Sequence, residues 1–81
     1  MSASPALSPV WDSWREVRER ECIGGGMRPA VARRFAQAEA AGRQRIAATY
    51  GYRFASTARL DWYDRDDGET VWVLIGDPPA Y

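Results

Sequence analysis

Histidine and lysine are both missing from these 81 residues, and cysteine occurs once. Without His the chain lacks the commonest general base and the commonest metal ligand together, which closes much of the usual enzyme repertoire. The lone Cys22 cannot close an internal disulfide, so a reducing, cytoplasmic setting is the expectation. With no His to activate it, Cys22 reads as a small buried hydrophobe at a helix end rather than a nucleophile. No apolar run approaches the ~18 residues a membrane crossing needs. Met1 to Pro9 has neither the basic start nor the apolar stretch of a secretory signal. What is present is 46% hydrophobic residues, including four Trp, four Tyr and two Phe, too rich for a disordered chain. The length holds one small domain.

Formal charge is zero, but it is unevenly spread. All eleven basic residues are Arg, which a GC-rich coding bias explains at least as well as selection for bidentate contacts. Residues 1–23 carry −1, residues 24–59 carry +6 with Glu39 as the one acid, and residues 60–81 carry −5. A neutral total weakens colloidal repulsion and favours association.

Met1 to Leu7 reads as a frayed tail, so residues 1–8 are set apart from a single domain over 9–76, with a Pro-rich tail at 77–81. Ser8-Pro9 is an N-cap followed by Pro at the first helical position. A helix follows to about Cys22, with Val10, Trp14 and Val17 on one stripe, Trp11 beside it, and a Glu16–Arg20 pair at i,i+4. Gly24-Gly25-Gly26 ends it and makes a flexible joint. The second helix spans Pro29 to about Tyr50. Its inward stripe is Val31, Phe35, Ala38, Gly42, Ile46 and Thr49, and Arg45 falls inside the stripe and must snorkel or pair. Ala38 and Gly42 make that stripe shallow, so another element can come close.

After Gly51 the period changes to two. Tyr52, Phe54, Ala58, Leu60 and Trp62 point one way, and Arg53, Thr57, Arg59, Asp61 and Tyr63 the other. Thr70 to Ile75 is a second strand. A two-residue turn at Asp67-Gly68 would pair Trp62 with Val73 and Leu60 with Ile75 on one face. Tyr63 with Trp72 and Asp61 with Leu74 would share the other. A hairpin alone is marginal, so either the Trp-bearing first helix or a second copy must cover that second face. The fold class expected is α+β, two helices packed on an antiparallel β-hairpin, completed by dimerisation if the first helix does not serve.

Several groupings carry chemistry. Asp61, Asp64, Asp66, Asp67 and Glu69 are the densest charge feature, and closely spaced carboxylates can imitate phosphates in a basic groove. Asp and Gly are also ordinary turn formers. The twelve-residue ligand order of a calcium loop is absent, with Arg65 in its midst, and so small a chain offers little room for a carboxylate pair to work as acid and base. Arg33, Arg34 and Arg43, with Arg28, Arg45, Arg53 and Arg59, could meet phosphates or pair with the acidic hairpin. The triple glycine lacks phosphate-loop spacing. Pro78-Pro79-Ala80-Tyr81 matches the PPxY peptide pattern, though WW domains are not expected beside a bacterial or phage chain.

A small, His-free, pocketless chain of helices and hairpin with the acidic stretch Asp61–Glu69 resembles phage-encoded inhibitors, the anti-CRISPR proteins in particular. That resemblance implies a non-catalytic, cofactor-free protein in a bacterial cytoplasm. Its partner would be a host protein or nucleoprotein complex, a CRISPR effector above all, whose DNA engagement it blocks. Asp61, Asp64, Asp66, Asp67 and Glu69 would make the charged contacts, with Tyr63 and Trp72 as aromatic anchors. The alternative is a small DNA-binding or transcription-accessory protein using the basic surface of Arg33, Arg34 and Arg43.

Overall fold

The computed structural model describes residues 6–76, and the start of the N-terminal tail and the Pro78-Pro79-Ala80-Tyr81 motif lie outside them. Helices α1 (Pro9–Gly24), α2 (Pro29–Tyr50) and α3 (Tyr52–Thr57) precede strands β1 (Leu60–Asp64) and β2 (Thr70–Leu74). The strands form one antiparallel two-stranded ribbon, so the chain is α+β. Among the described residues no helix is long and apolar enough to cross a membrane. The chain divides into two compact units, Met1–Ala41 and Gly42–Tyr81, and the boundary falls inside α2.

In the first unit, Ser8 takes the N-cap of α1 and Pro9 its first turn, as the sequence indicates. The triple glycine is a specific cap. Met27 N donates to Cys22 O and Gly26 N to Ile23 O, each at 3.0 Å, with Gly26 at φ +103°. This pairing is the Schellman closure, which needs one left-handed residue and satisfies carbonyls at the helix end. Cys22, under that cap, is buried.

Both long helices turn inward faces other than those expected. α1 buries Trp11, Arg15 and Cys22, whereas Val10 and Val17 are exposed. In α2 the buried set before the boundary is Ala32, Ala36, Glu39, Ala40 and Ala41, while Val31 is exposed. Ion pairs account for the two charged residues on these faces. Arg15 lies among Asp12 (3.0 Å), Glu19 (3.3 Å) and Glu16 (3.8 Å), and Arg18 Nε donates to Glu39 Oε1 at 3.1 Å. Arg20 makes no ion pair among the described residues, so the expected Glu16–Arg20 partnership is replaced by the Arg15 cluster.

In the second unit the largest departure is α3. Tyr52–Thr57 is helical, not the period-two strand its alternation suggests. Gly51, at φ +90°, separates it from α2, and Tyr50 and Phe54 meet edge to face at 5.4 Å across the break. Six residues cannot hold a helix alone. Here Ser56 Oγ and Thr57 Oγ1 donate to Arg53 O, and Arg43 Nη1 donates to both Ala55 O and Ala58 O at 2.8 Å.

The hairpin exists where expected but with its register moved by one residue. Leu60 pairs Leu74, Trp62 pairs Trp72 and Tyr63 pairs Val71. Arg65 N donates to Glu69 O at 2.8 Å, so Asp66-Asp67-Gly68 is a three-residue loop, with Gly68 at φ +86°. That is the usual construction for a three-residue hairpin, a turn closed by a left-handed glycine. A slip of one redistributes every side chain. Trp62 and Trp72 now share a face, their rings 6.4 Å apart, and Tyr63 sits on the other with Asp61, Val71 and Val73.

Gly42 is buried, and it explains why α2 comes so near the ribbon. A Cβ placed on it would lie 2.8 Å from Trp72 Cβ, closer than carbon atoms tolerate. Gly42→Ala is expected to lower stability by about 1–2 kcal/mol, because overpacking outweighs the ~1 kcal/mol gain in helix preference. Gly24→Ala, with open space around it, should be neutral or stabilising by a few tenths of a kcal/mol, as a helix-end position gains only part of that preference. Denaturant midpoints of the two variants give opposite signs if the contact is as described.

Candidate functional site

The acidic feature occupies the loop end of the β-ribbon. β1 carries Asp61 and Asp64 on opposite faces, and the loop projects Asp66 and Asp67 beyond the last ladder pair. All five carboxylates are exposed. Part of their charge is spent on local structure. Asp61 Oδ1 accepts from Trp62 N at 2.8 Å, Asp64 Oδ1 accepts from Thr70 Oγ1 at 3.1 Å, and Asp67 Oδ1 accepts from Glu69 N at 3.0 Å. Arg65 Nη2 stands 3.4 Å from Asp67 Oδ2. Asp66 is exposed and makes no hydrogen bond or ion pair among the described residues. Tyr63, Asp64, Arg65, Asp66 and Asp67 line a shallow, open depression. Among the described residues no three His, Cys, Asp or Glu side chains converge tightly enough to hold a metal ion.

The two expected aromatic anchors separate. Tyr63 is exposed beside the acidic loop, whereas Trp72 is half-buried on the opposite face with its Cβ against Gly42. The expectation that they share a face came from the two-residue turn and falls with it.

The basic set also divides. Arg33 and Arg34 are exposed on α2. Arg43 is half-buried and committed to the α3 carbonyls, so it is a structural clamp and not part of an open basic surface. Arg45 is exposed, so its place in the expected inward stripe is not used.

No protein-family model, curated protein or solved structure matches this chain. The site therefore has to be read from its own chemistry.

Two further cations are fixed by electrostatics. The Arg15 guanidinium is raised above its ordinary pKa by its hydrogen bond to Asp12, which burial opposes and the charges of Asp12, Glu19 and Glu16 reinforce. Burial acts against charged Arg18, but the hydrogen bond and charge of Glu39 override it and raise its pKa too. A raised cation pKa contributes stability below the unfolded value and loses it only as pH climbs through the folded one, here beyond the alkaline end of the ordinary range. These pairs persist across neutral pH.

Val71 and Val73 share the Tyr63 face because the loop type decides their side, and a two-residue turn would put Val73 with Trp62 instead. Asp-Asp-Gly, with Gly last, was the available signal for the three-residue loop. The Arg43 clamp had no local signal, since its acceptors are backbone carbonyls 12 and 15 residues away. Arg43→Met, which keeps the stem and removes the donors, is expected to cost about 1–3 kcal/mol in unfolding free energy. It should also lower helical ellipticity at 222 nm at temperatures where the parent chain is still folded.

Proposed function

We propose that this chain acts by binding and not by catalysis. It presents the acidic loop of its hairpin to a basic, nucleic-acid-handling surface of a larger host complex, a CRISPR effector in the first instance, and keeps DNA from engaging it. The supporting observation is the exposed group of Asp64, Asp66, Asp67 and Glu69 at one end of the ribbon, with Arg65 as the only countercharge in the loop and Tyr63 beside it. Carboxylates spaced along an extended backbone present a row of negative charge that competes for the Arg and Lys side chains that otherwise hold phosphates. In this reading Tyr63 is the aromatic contact, and Trp72 holds the ribbon in place.

The test is a gel-shift of effector complexes on their target duplex in the presence of excess protein. The parent chain should suppress DNA binding, and the variant with Asp64, Asp66 and Asp67 changed to Ser should need at least tenfold more protein for the same effect. Unimpaired DNA binding with the parent chain in large excess, across effector types, would overturn the proposal.

Arg33 and Arg34, exposed and without ion-pair partners among the described residues, support a second reading in which α2 contacts DNA directly. The loss of Arg43 to the α3 clamp weakens it. Titration with random duplex at low salt is expected to show no complex. A salt-sensitive complex abolished by Arg33→Ala with Arg34→Ala would put the second reading first.

A further inference from the structure

We infer that Asp67 is where this chain modifies its own backbone. Its side-chain carboxyl condenses with the main-chain nitrogen of Gly68 to a cyclic imide, which reopens to an isoaspartyl linkage, and the hydrogen bonds of the hairpin loop hold the rate down. The reaction needs no partner beyond water. The Gly68 amide nitrogen gives up its proton and attacks Cγ of the protonated Asp67 carboxyl. A nitrogen–Cγ bond forms, the bond from Cγ to the hydroxyl breaks, and the hydroxyl leaves with the amide proton as water. Water then adds back to one of the two imide carbonyls. Addition at Cγ restores aspartate. Addition at the main-chain carbonyl leaves the peptide link running through Cβ and Cγ, with the main-chain carboxylate set free.

Among the aspartates only Asp67 precedes a glycine. A side chain on the attacking residue crowds the five-membered ring, and a Cβ placed on Gly68 would meet nothing within 4 Å, so the space the ring needs is open. Ring closure also requires the aspartate ψ to swing away from its helical or extended value. Asp12 is held in α1, and Asp61 and Asp64 in β1. Trp62 N reaches Asp61 Oδ1 at 2.8 Å, but Asp61 is fixed in the ladder opposite Val73 and the indole obstructs the ring. Asp66 shares the loop, yet its neighbour Asp67 carries a side chain. Asp77 precedes Pro78, whose nitrogen has no proton to give up. Asp67-Gly68 lies beyond the last ladder pair, with the Asp67 side chain 47% exposed.

Three contacts of the folded loop oppose the reaction. Gly68 N donates to Arg65 O at 2.9 Å, which occupies the nucleophile. Glu69 N donates to Asp67 Oδ1 at 3.0 Å, and Arg65 Nη2 stands 3.4 Å from Asp67 Oδ2, so the carboxylate is held toward the Glu69 amide and away from the Gly68 nitrogen. Attack therefore waits for the loop to open locally, and unfolding the chain removes the restraint altogether. The product has one more main-chain atom in a loop whose length sets the register of the ribbon, and it moves the carboxylate that receives the Glu69 amide. The isoaspartyl chain is thus less stable than its parent.

The full chain is kept for weeks in warm neutral buffer, with and without urea, and isoaspartate is located by peptide mapping with fragmentation that distinguishes it from aspartate. In the folded chain it should accumulate at position 67 ahead of every other aspartate. In urea it should form there about tenfold faster, the factor expected when two hydrogen bonds of ordinary strength are lost. Asp67→Glu, which keeps the charge but would have to close a six-membered ring, should remove the signal at that position. The separated isoaspartyl form should unfold at a lower denaturant concentration than the parent. Isoaspartate appearing first at another residue, none at position 67 in the folded chain, equal rates with and without urea, or an isoaspartyl form as stable as the parent would each overturn the inference. No readout involves a partner, so the outcome is independent of the proposed function.

Discussion

Arg43 decides where the hairpin begins. From the middle of α2 it sends one guanidinium nitrogen to the carbonyls of Ala55 and Ala58. These carbonyls would otherwise be open acceptors at the end of a six-residue helix, and an isolated helix of that length has no net tendency to form. With them held, the chain must turn at Ala58, and Leu60 becomes the first residue of β1. The same helix meets β2 one residue earlier, at Gly42, where the missing side chain lets Trp72 lie against backbone. Adjacent residues of α2 thus fix the start of one strand and the depth of the other.

The extents of α1 and α2 and the presence of the hairpin were legible in the sequence, because Ser8-Pro9, the glycines and Asp67-Gly68 are local signals that act within a few residues. The inward faces were not. A stripe drawn through Val31 and Phe35 follows the largest side chains, but burial follows Ala32, Ala36 and Ala40, which carry almost no hydrophobic signal and gain their place by being small. Glu39 is buried among them because Arg18, 21 residues earlier in the chain, supplies its partner. Likewise α3 was hidden because YRFAST alternates like a strand and its helical form depends on a distant cation. The hairpin register turned on a single residue of loop length.

The same register decided how much of the candidate site survived. The carboxylates of the loop remain exposed together, since their placement depends on the loop and not on the face. Trp72 and Arg43, two residues of types often found at interfaces, are instead taken up by packing and by helix capping. Tyr63 stays with the acids, and across the ribbon it faces Val71 and not a tryptophan.

The four tryptophans fall two and two. Trp11 and Trp14, with ring centres 5.9 Å apart, lie in the unit that ends at Ala41, and Trp62 and Trp72 lie in the unit that begins at Gly42. Each half of the chain therefore carries its own pair of native fluorophores. Replacing one pair with phenylalanine leaves an optical signal belonging to the other half alone, so whether the halves melt as one body or in succession can be followed without any label.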